Sequence, residues 1–186
     1  MRVSTVWRVA DEGDRTQWVL DPLEGVGPLR FGMTYEDVVE ALDGFLEPSS
    51  QSTRHYGHVL SDDFTHPHTW HGPALTVYYD AERLTCVVVN ALRGPQVTLD
   101  ELPLVGRVPS ELDDAFTEYA SARGYGRRYC AYGELAWEEL GVVLRAQRAG
   151  DVVLSRPVFV GQAWAESCGD ASEGRIPEAE WHKRPW

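Results

Sequence analysis

Lysine is nearly missing from this chain: Lys183 is the only one among 17 basic residues, and the other 16 are arginine. That skew points to GC-rich coding rather than to a chemistry. Cysteine is scarce too. Cys86, Cys130 and Cys168 are odd in number, far apart and form no C-x-x-C pair, a pattern that suits a reducing compartment. No run approaches the roughly 18 consecutive apolar residues that a membrane helix needs. The start, Met1-Arg2-Val3-Ser4-Thr5-Val6-Trp7-Arg8, turns charged before an apolar stretch of signal-peptide length has formed. A cytoplasmic location is the expectation. Positive charge is in deficit as well, with 29 Asp and Glu giving a net charge of −12. A field of that sign repels phosphate backbones and anionic lipid, so neither nucleic acid nor membrane is an expected partner, whereas a basic protein is.

What is present suffices for a core. The 186 residues are 43% hydrophobic and include seven Trp and eight Tyr, enough for one medium domain or two small fused units. Val3 to Val9, the turn Asp11-Glu12-Gly13-Asp14, and Thr16 to Leu20 read as an N-terminal hairpin. Thr34 with Asp37 three residues on resembles a capping box. Tyr35, Val38, Val39 and Leu42 then recur at helical spacing until Gly44. After a long polar loop, Leu75 to Tyr79 and Leu84 to Asn90 form a second hairpin around Asp80-Ala81-Glu82-Arg83. The order then returns. Pro109 and Ser110, with Asp113, open a helix carrying Leu112, Ala115, Phe116, Tyr119 and Ala120 to Gly124. Strands follow over Val142 to Ala146 and Val152 to Val160, with Pro157 implying a bulge or an edge.

Aligning Tyr35 with Leu112, Val38 with Ala115, Val39 with Phe116 and Leu42 with Tyr119 gives an internal duplication. The expected fold is therefore α+β: two tandem helix-plus-antiparallel-hairpin units with an N-terminal hairpin. The first unit spans 1–94, the second 95–164, and 165–186 form a polar tail, all within one globule.

The segment from Val26 to Leu42 contains Gly32-Met33-Thr34 followed by Val38. It resembles the Gly-Met-Thr-x-x-x-Val helix start of BamE-like domains, which also occurs in tandem in β-lactamase inhibitor proteins. The resemblance implies a helix packed on a small antiparallel sheet and a protein-binding scaffold. The second unit departs from it, with Val108-Pro109-Ser110 at the corresponding place.

Five of six histidines fall between His55 and His71. His66, His68 and His71, joined by His58 or His55, could hold a divalent transition metal, with Asp62 or Asp63 adding a carboxylate. No H-E-x-x-H is present, and an exposed polar loop is the plainer reading of the run. Gly27 to Thr34 has P-loop spacing, but Met33 stands where the lysine is essential, so a helix start is the better reading. Arg123-Gly-Tyr-Gly-Arg-Arg-Tyr129 mixes cations with aromatics as RNA-binding segments do, yet a helix C-terminus with favourable arginines accounts for it. Carboxylate pairs such as Glu36 with Glu40, and Asp113 with Asp114, fit solvated helix faces. Cys86 reads as core, and no nucleophile motif is present, so catalytic residues are not assigned. Trp70, Trp137, Trp164, Trp181 and Trp186 exceed what a small core needs, and tryptophan is enriched at binding hot spots.

The leading expectation is a non-enzymatic binding protein of the immunity or inhibitor kind. Trp70, Asp62 and Asp63 would contact a basic toxin or enzyme, and no cofactor is needed. The alternative is a metal-dependent enzyme or metal-binding accessory protein that uses the histidine run.

Overall fold

Strands dominate the described residues. The computed structural model describes residues 7–49, 54–56, 59–67, 72–129 and 134–165. The first part holds β1 (Gln17–Asp21), β2 (Gly25–Val26), β3 (Leu29–Arg30), helix α1 (Tyr35–Leu42) and β4 (Glu47–Pro48). It continues with β5 (Arg54–Tyr56), β6 (Val59–Thr65), β7 (Leu75–Asp80), β8 (Arg83–Val89), β9 (Gln96–Leu99) and β10 (Leu102–Pro103). Then come α2 (Pro109–Ser121), β11 (Arg128–Tyr129), β12 (Leu135–Trp137), β13 (Val142–Ala149), β14 (Val152–Val160) and the single turn α3 (Gln162–Ala165).

The strands make two sheets. The larger runs β11-β12-β13-β14-β8-β7-β6-β4, antiparallel throughout, with β5 paired to β6. The smaller runs β10-β9-β1-β2-β3, and its β1–β9 pair is parallel, with Trp18 opposite Val97. This overturns the expected α+β arrangement of two helix-plus-hairpin units. Each helix is followed by more than a hairpin, and the two halves fuse where β14 pairs with β8. Pairing across that seam removes two sheet edges that separate units would leave open.

The aligned helix positions fail with it. In α1 the buried residues are Val38 and Leu42, and in α2 they are Leu112, Phe116 and Ala120. Tyr35 is 41% exposed whereas Leu112 is buried, so the proposed register is one residue out. Its origin is the second helix start. Val108 is the N-cap, Pro109 stands at the first helical position, and Ser110 caps nothing. The N-terminal hairpin is also corrected. Residues 8–11 are not strand, Glu12–Asp14 form a 3-10 turn, and β1 pairs with β2 and β9.

One core lies between the large sheet, the helices and the small sheet. There Phe116 meets Trp137 at 4.3 Å between ring centroids, and Leu29, Phe64, Val87 and Phe159 are buried in the same core. The opposite face buries Tyr78, Cys86, Val88, Val143 and Val158 with Trp164 of α3. Cys86 is therefore core, as its strand context implied, and Trp137 and Trp164 are buried rather than displayed. Pro157 sits opposite Leu144 in an unbulged ladder. β8 pairs only Val158 to Val160, so the missing N–H falls where β14 has left its partner.

Two polar devices lock the small sheet. Arg15 is buried and donates to the carbonyls of Gly94 and Ala91 at 2.6 and 2.7 Å. The fully buried Gln96 amide donates to Glu12 and the Val105 carbonyl, and accepts from the Val97 and Val105 N–H groups, so all its capacity is used. At Gly27, φ is +56° and a Cβ would sit 2.4 Å from the Trp18 ring, so only glycine allows the β2–β3 turn to close there. No helix among the described residues is long and apolar enough to cross a membrane.

Candidate functional site

The site begins with how α1 is anchored. Ahead of the helix, the Gly32 N–H donates to the Leu84 carbonyl and the Leu84 N–H donates to the Met33 carbonyl, both at 2.8 Å. The chain is thus stapled to the first residues of β8. Thr34 then closes a full capping box: its Oγ1 accepts from the Asp37 N–H at 3.2 Å, and Asp37 Oδ2 accepts from the Thr34 N–H at 2.9 Å. These bonds hold the Asp37 carboxyl below the usual carboxylate range. They also fix the first helical turn over the end of the β6–β7–β8 meander.

Tyr35, at the first helical position, cannot reach the core from there. Its ring lies edge-on to that of Tyr79, with centroids 6.4 Å apart and planes at 63°. Tyr79 is only 2% exposed. Strand alternation places it, and a β-bulge lies opposite: Tyr78 pairs with Cys86 and Tyr79 with Leu84, leaving Thr85 of β8 as the extra residue. Tyr78 therefore faces the far side, and Tyr79 turns toward α1. From β6, Leu60 and Asp62 rise on the same face as Phe64, and Asp62 is 6% exposed. The β7–β8 turn is closed by Ala81 and Glu82 at φ +47° and +62°, both in the left-handed region that L-residues resist.

Between these parts lies a cleft of about 370 Å³. Thr34, Tyr35 and Glu36 form its helix side. Leu60, Asp62 and Tyr79 form its sheet side, and Glu82 comes from the turn. Among the described residues the lining carries three carboxylates and two tyrosine rings, and no arginine, lysine or histidine. Burial, with Asp62 next in weight, pushes both phenols above the ordinary tyrosine range, so each remains a neutral hydroxyl. Among the described residues the Tyr79 hydroxyl is buried with no hydrogen-bond partner. Burying such a group unpaired costs about 1–3 kcal/mol. Negative charge beside aromatic rings attracts a cation, and a buried hydroxyl can accept one of its N–H bonds.

A second, shallower groove of about 580 Å³ runs between α2 and the β9–β10 turn, and it shows the same chemistry already satisfied. The Arg123 guanidinium lies 3.6 Å over the Tyr119 ring and reaches Asp100 at 3.0 Å, while the Tyr119 hydroxyl donates to Asp100 at 2.9 Å. Arg123 also donates to the Tyr119 carbonyl of the last helical turn at 3.2 Å, the helix-terminus role expected of that arginine-rich segment.

The histidine run is partly strand, not a long loop: β5 and β6 lie within it. His66 Nε2 stands 2.7 Å from the Arg93 carbonyl oxygen, which can only accept, so the ring donates there. His55 is in β5, opposite Leu60 in register. His58, His68, His71 and Trp70 lie outside the described residues, as do Cys130, Cys168, Trp181 and Trp186. Among the described residues no group of three or more His, Cys, Asp and Glu side chains is placed to hold a metal ion.

Asp62 and Asp63, candidates for partner contact, are separated by the strand. Asp62 lines the cleft, whereas Asp63 faces the other side and accepts from Thr76 Oγ1 at 2.6 Å. Tyr35, Tyr79 and Glu82 were not singled out from the sequence as binding residues. The signal lay in Tyr78-Tyr79, since adjacent tyrosines in one strand must send two hydroxyls to opposite faces. No protein-family model, no curated protein and no solved structure matches the chain.

Proposed function

We propose that this chain is a non-enzymatic, cytoplasmic binding protein that holds a basic protein, in the manner of an immunity or inhibitor protein. The cleft beneath α1 carries this reading: among the described residues its lining holds three carboxylates and two tyrosines and no basic group, on a chain of net charge −12. A field of that strength steers a cationic partner from a distance, and an aromatic-walled recess gives it a place to dock. The likeness of Val26 to Leu42 to BamE-like helix starts adds the idea of a binding scaffold. The contact surface moves accordingly from the histidine run to the turn-and-helix side of the cleft.

The test is to immobilise the full chain, pass a host extract over it and elute with rising salt. Basic proteins should be retained near 0.1 M salt and released as the Debye length falls from about 10 Å toward about 3 Å at 1 M. Retention of neutral or acidic proteins only, indifferent to salt, would contradict the proposal.

A further inference from the structure

We infer that the cleft under the first turn of α1 receives one guanidinium group, carried on an arginine side chain of the basic partner. This inference rests on the binding-protein reading above and names the group that the cleft selects. Its first support is Tyr79, a residue of the cleft lining whose hydroxyl is buried and has no partner among the described residues. Protein interiors rarely leave such a group unpaired, and a ligand that enters the adjoining recess can supply the missing bond once the ring edge shifts to meet it. The second support is the lining. A guanidinium offers five N–H donors in one plane, enough to reach the Tyr79 oxygen and the Glu36 and Glu82 carboxylates together. The half-exposed Tyr35 ring offers it a face to stack on.

The protein already binds a guanidinium of its own in this manner. The Arg123 guanidinium lies over the Tyr119 ring and bonds Asp100, so a tyrosine and a carboxylate together hold one here. An ammonium, a compact point charge with three donors, neither stacks on a ring nor spans several acceptors as well. Size agrees. At about 370 Å³ the cleft lies at the small end of ligand sites and suits one side chain rather than a folded segment. The left-handed φ angles of Ala81 and Glu82 hold a carboxylate at the cleft where a hairpin alone would favour Asn-Gly.

The experiment titrates the full chain with Nα-acetyl-arginine methylamide, its lysine counterpart and its uncharged citrulline counterpart. Tyrosine ring resonances are followed by NMR, and the same wild-type and variant chains are used in the extract capture. The arginine probe should saturate at one per chain and shift Tyr35 and Tyr79, binding about threefold or more tighter than the lysine probe, with citrulline inert. Tyr79→Phe should weaken it about tenfold and Glu82→Gln by a smaller factor, while both variants keep the wild-type circular dichroism. Equal shifts from arginine and citrulline, or shifts away from Tyr35 and Tyr79, would overturn the inference. If Tyr79→Phe and Glu82→Gln retain basic proteins undiminished, the cleft assignment fails and the binding-protein reading stands. If the arginine probe binds but no basic protein is retained, the assignment of a protein partner fails instead.

Discussion

Replacing Tyr79 by Phe deletes one oxygen from a side chain that is 2% exposed. In most proteins a buried Tyr→Phe change is destabilising, because the hydroxyl had a hydrogen bond to lose. Here the hydroxyl has no partner among the described residues, so the sign should reverse. The recovered desolvation cost is about 1–3 kcal/mol. The void left by one oxygen subtracts only a few tenths at about 24 cal/mol per Å³. A net gain of about 1 kcal/mol or more should follow, equivalent to a rise of roughly 2–4 °C in Tm for a chain of this size. Tyr119→Phe is the internal control. It removes the 2.9 Å bond to Asp100 and should cost about 0.5–1 kcal/mol. Urea unfolding followed by tryptophan fluorescence reads both as shifts in midpoint at unchanged slope. A Tyr79→Phe midpoint below wild type by as much as the control would show that the hydroxyl is paired in solution. The reasoning behind the cleft would then fail at its base.

Other perturbations have equally definite signs. Changing Ala81-Glu82 to Asn-Gly should stabilise the β7–β8 turn by about 1 kcal/mol or more, since both positions have positive φ, while weakening cation binding through loss of the carboxylate. Unchanged urea midpoints would remove the claim of strain. Glu134→Ala removes one partner of Arg145, whose Nε lies 2.6 Å from Glu134 Oε1 with side chains 4% and 16% exposed. A loss of about 1.5–3 kcal/mol, that of one charged hydrogen bond, is expected, and a loss below about 0.5 kcal/mol would contradict the assignment of a buried pair.

Two aspartates should respond to pH with opposite signs. The Asp113 carboxyl is raised, first by burial and then by Asp114, so its folded pKa lies above the unfolded one. Its contribution is present below the unfolded value and lost as pH rises, so Asp113→Asn should stabilise the protein at pH 7 and not near pH 3. The Asp37 carboxyl is depressed by its capping bonds, so Asp37→Asn should destabilise at pH 7, with the difference vanishing in acid. Urea midpoints at the two pH values decide both.

Local chemistry was legible where local bonds decide the structure. Thr34 and Asp37 form the capping box that their spacing implied, and Asp80 to Arg83 close the hairpin between β7 and β8. Partner choice was not legible. Trp18 and Leu20 alternate inward as a strand should, but nothing near them says that β1 pairs in parallel with residues 96–98. The fusion of β8 with β14 is equally non-local, and it turned two imagined units into one sheet. The histidine run concealed a strand because β6 carries Ser61 and Asp62 into buried positions, blurring the alternation of apolar and polar residues. The cleft was hidden for a related reason. Tyr35 was counted toward the apolar stripe of α1, yet it stands on the edge of that stripe and forms a wall with Tyr79.

The central claim is that a basic partner docks at this cleft, and charge reversal at its two carboxylates outside the core tests it most directly. Glu36→Lys with Glu82→Lys should leave the circular dichroism and urea midpoint close to wild type, because neither side chain is part of the hydrophobic core. In the salt-eluted capture from host extract, the account predicts that the basic proteins held by the wild-type chain pass through the double variant unretained. Retention of the same proteins, released at the same salt, would place the binding surface elsewhere and contradict the account.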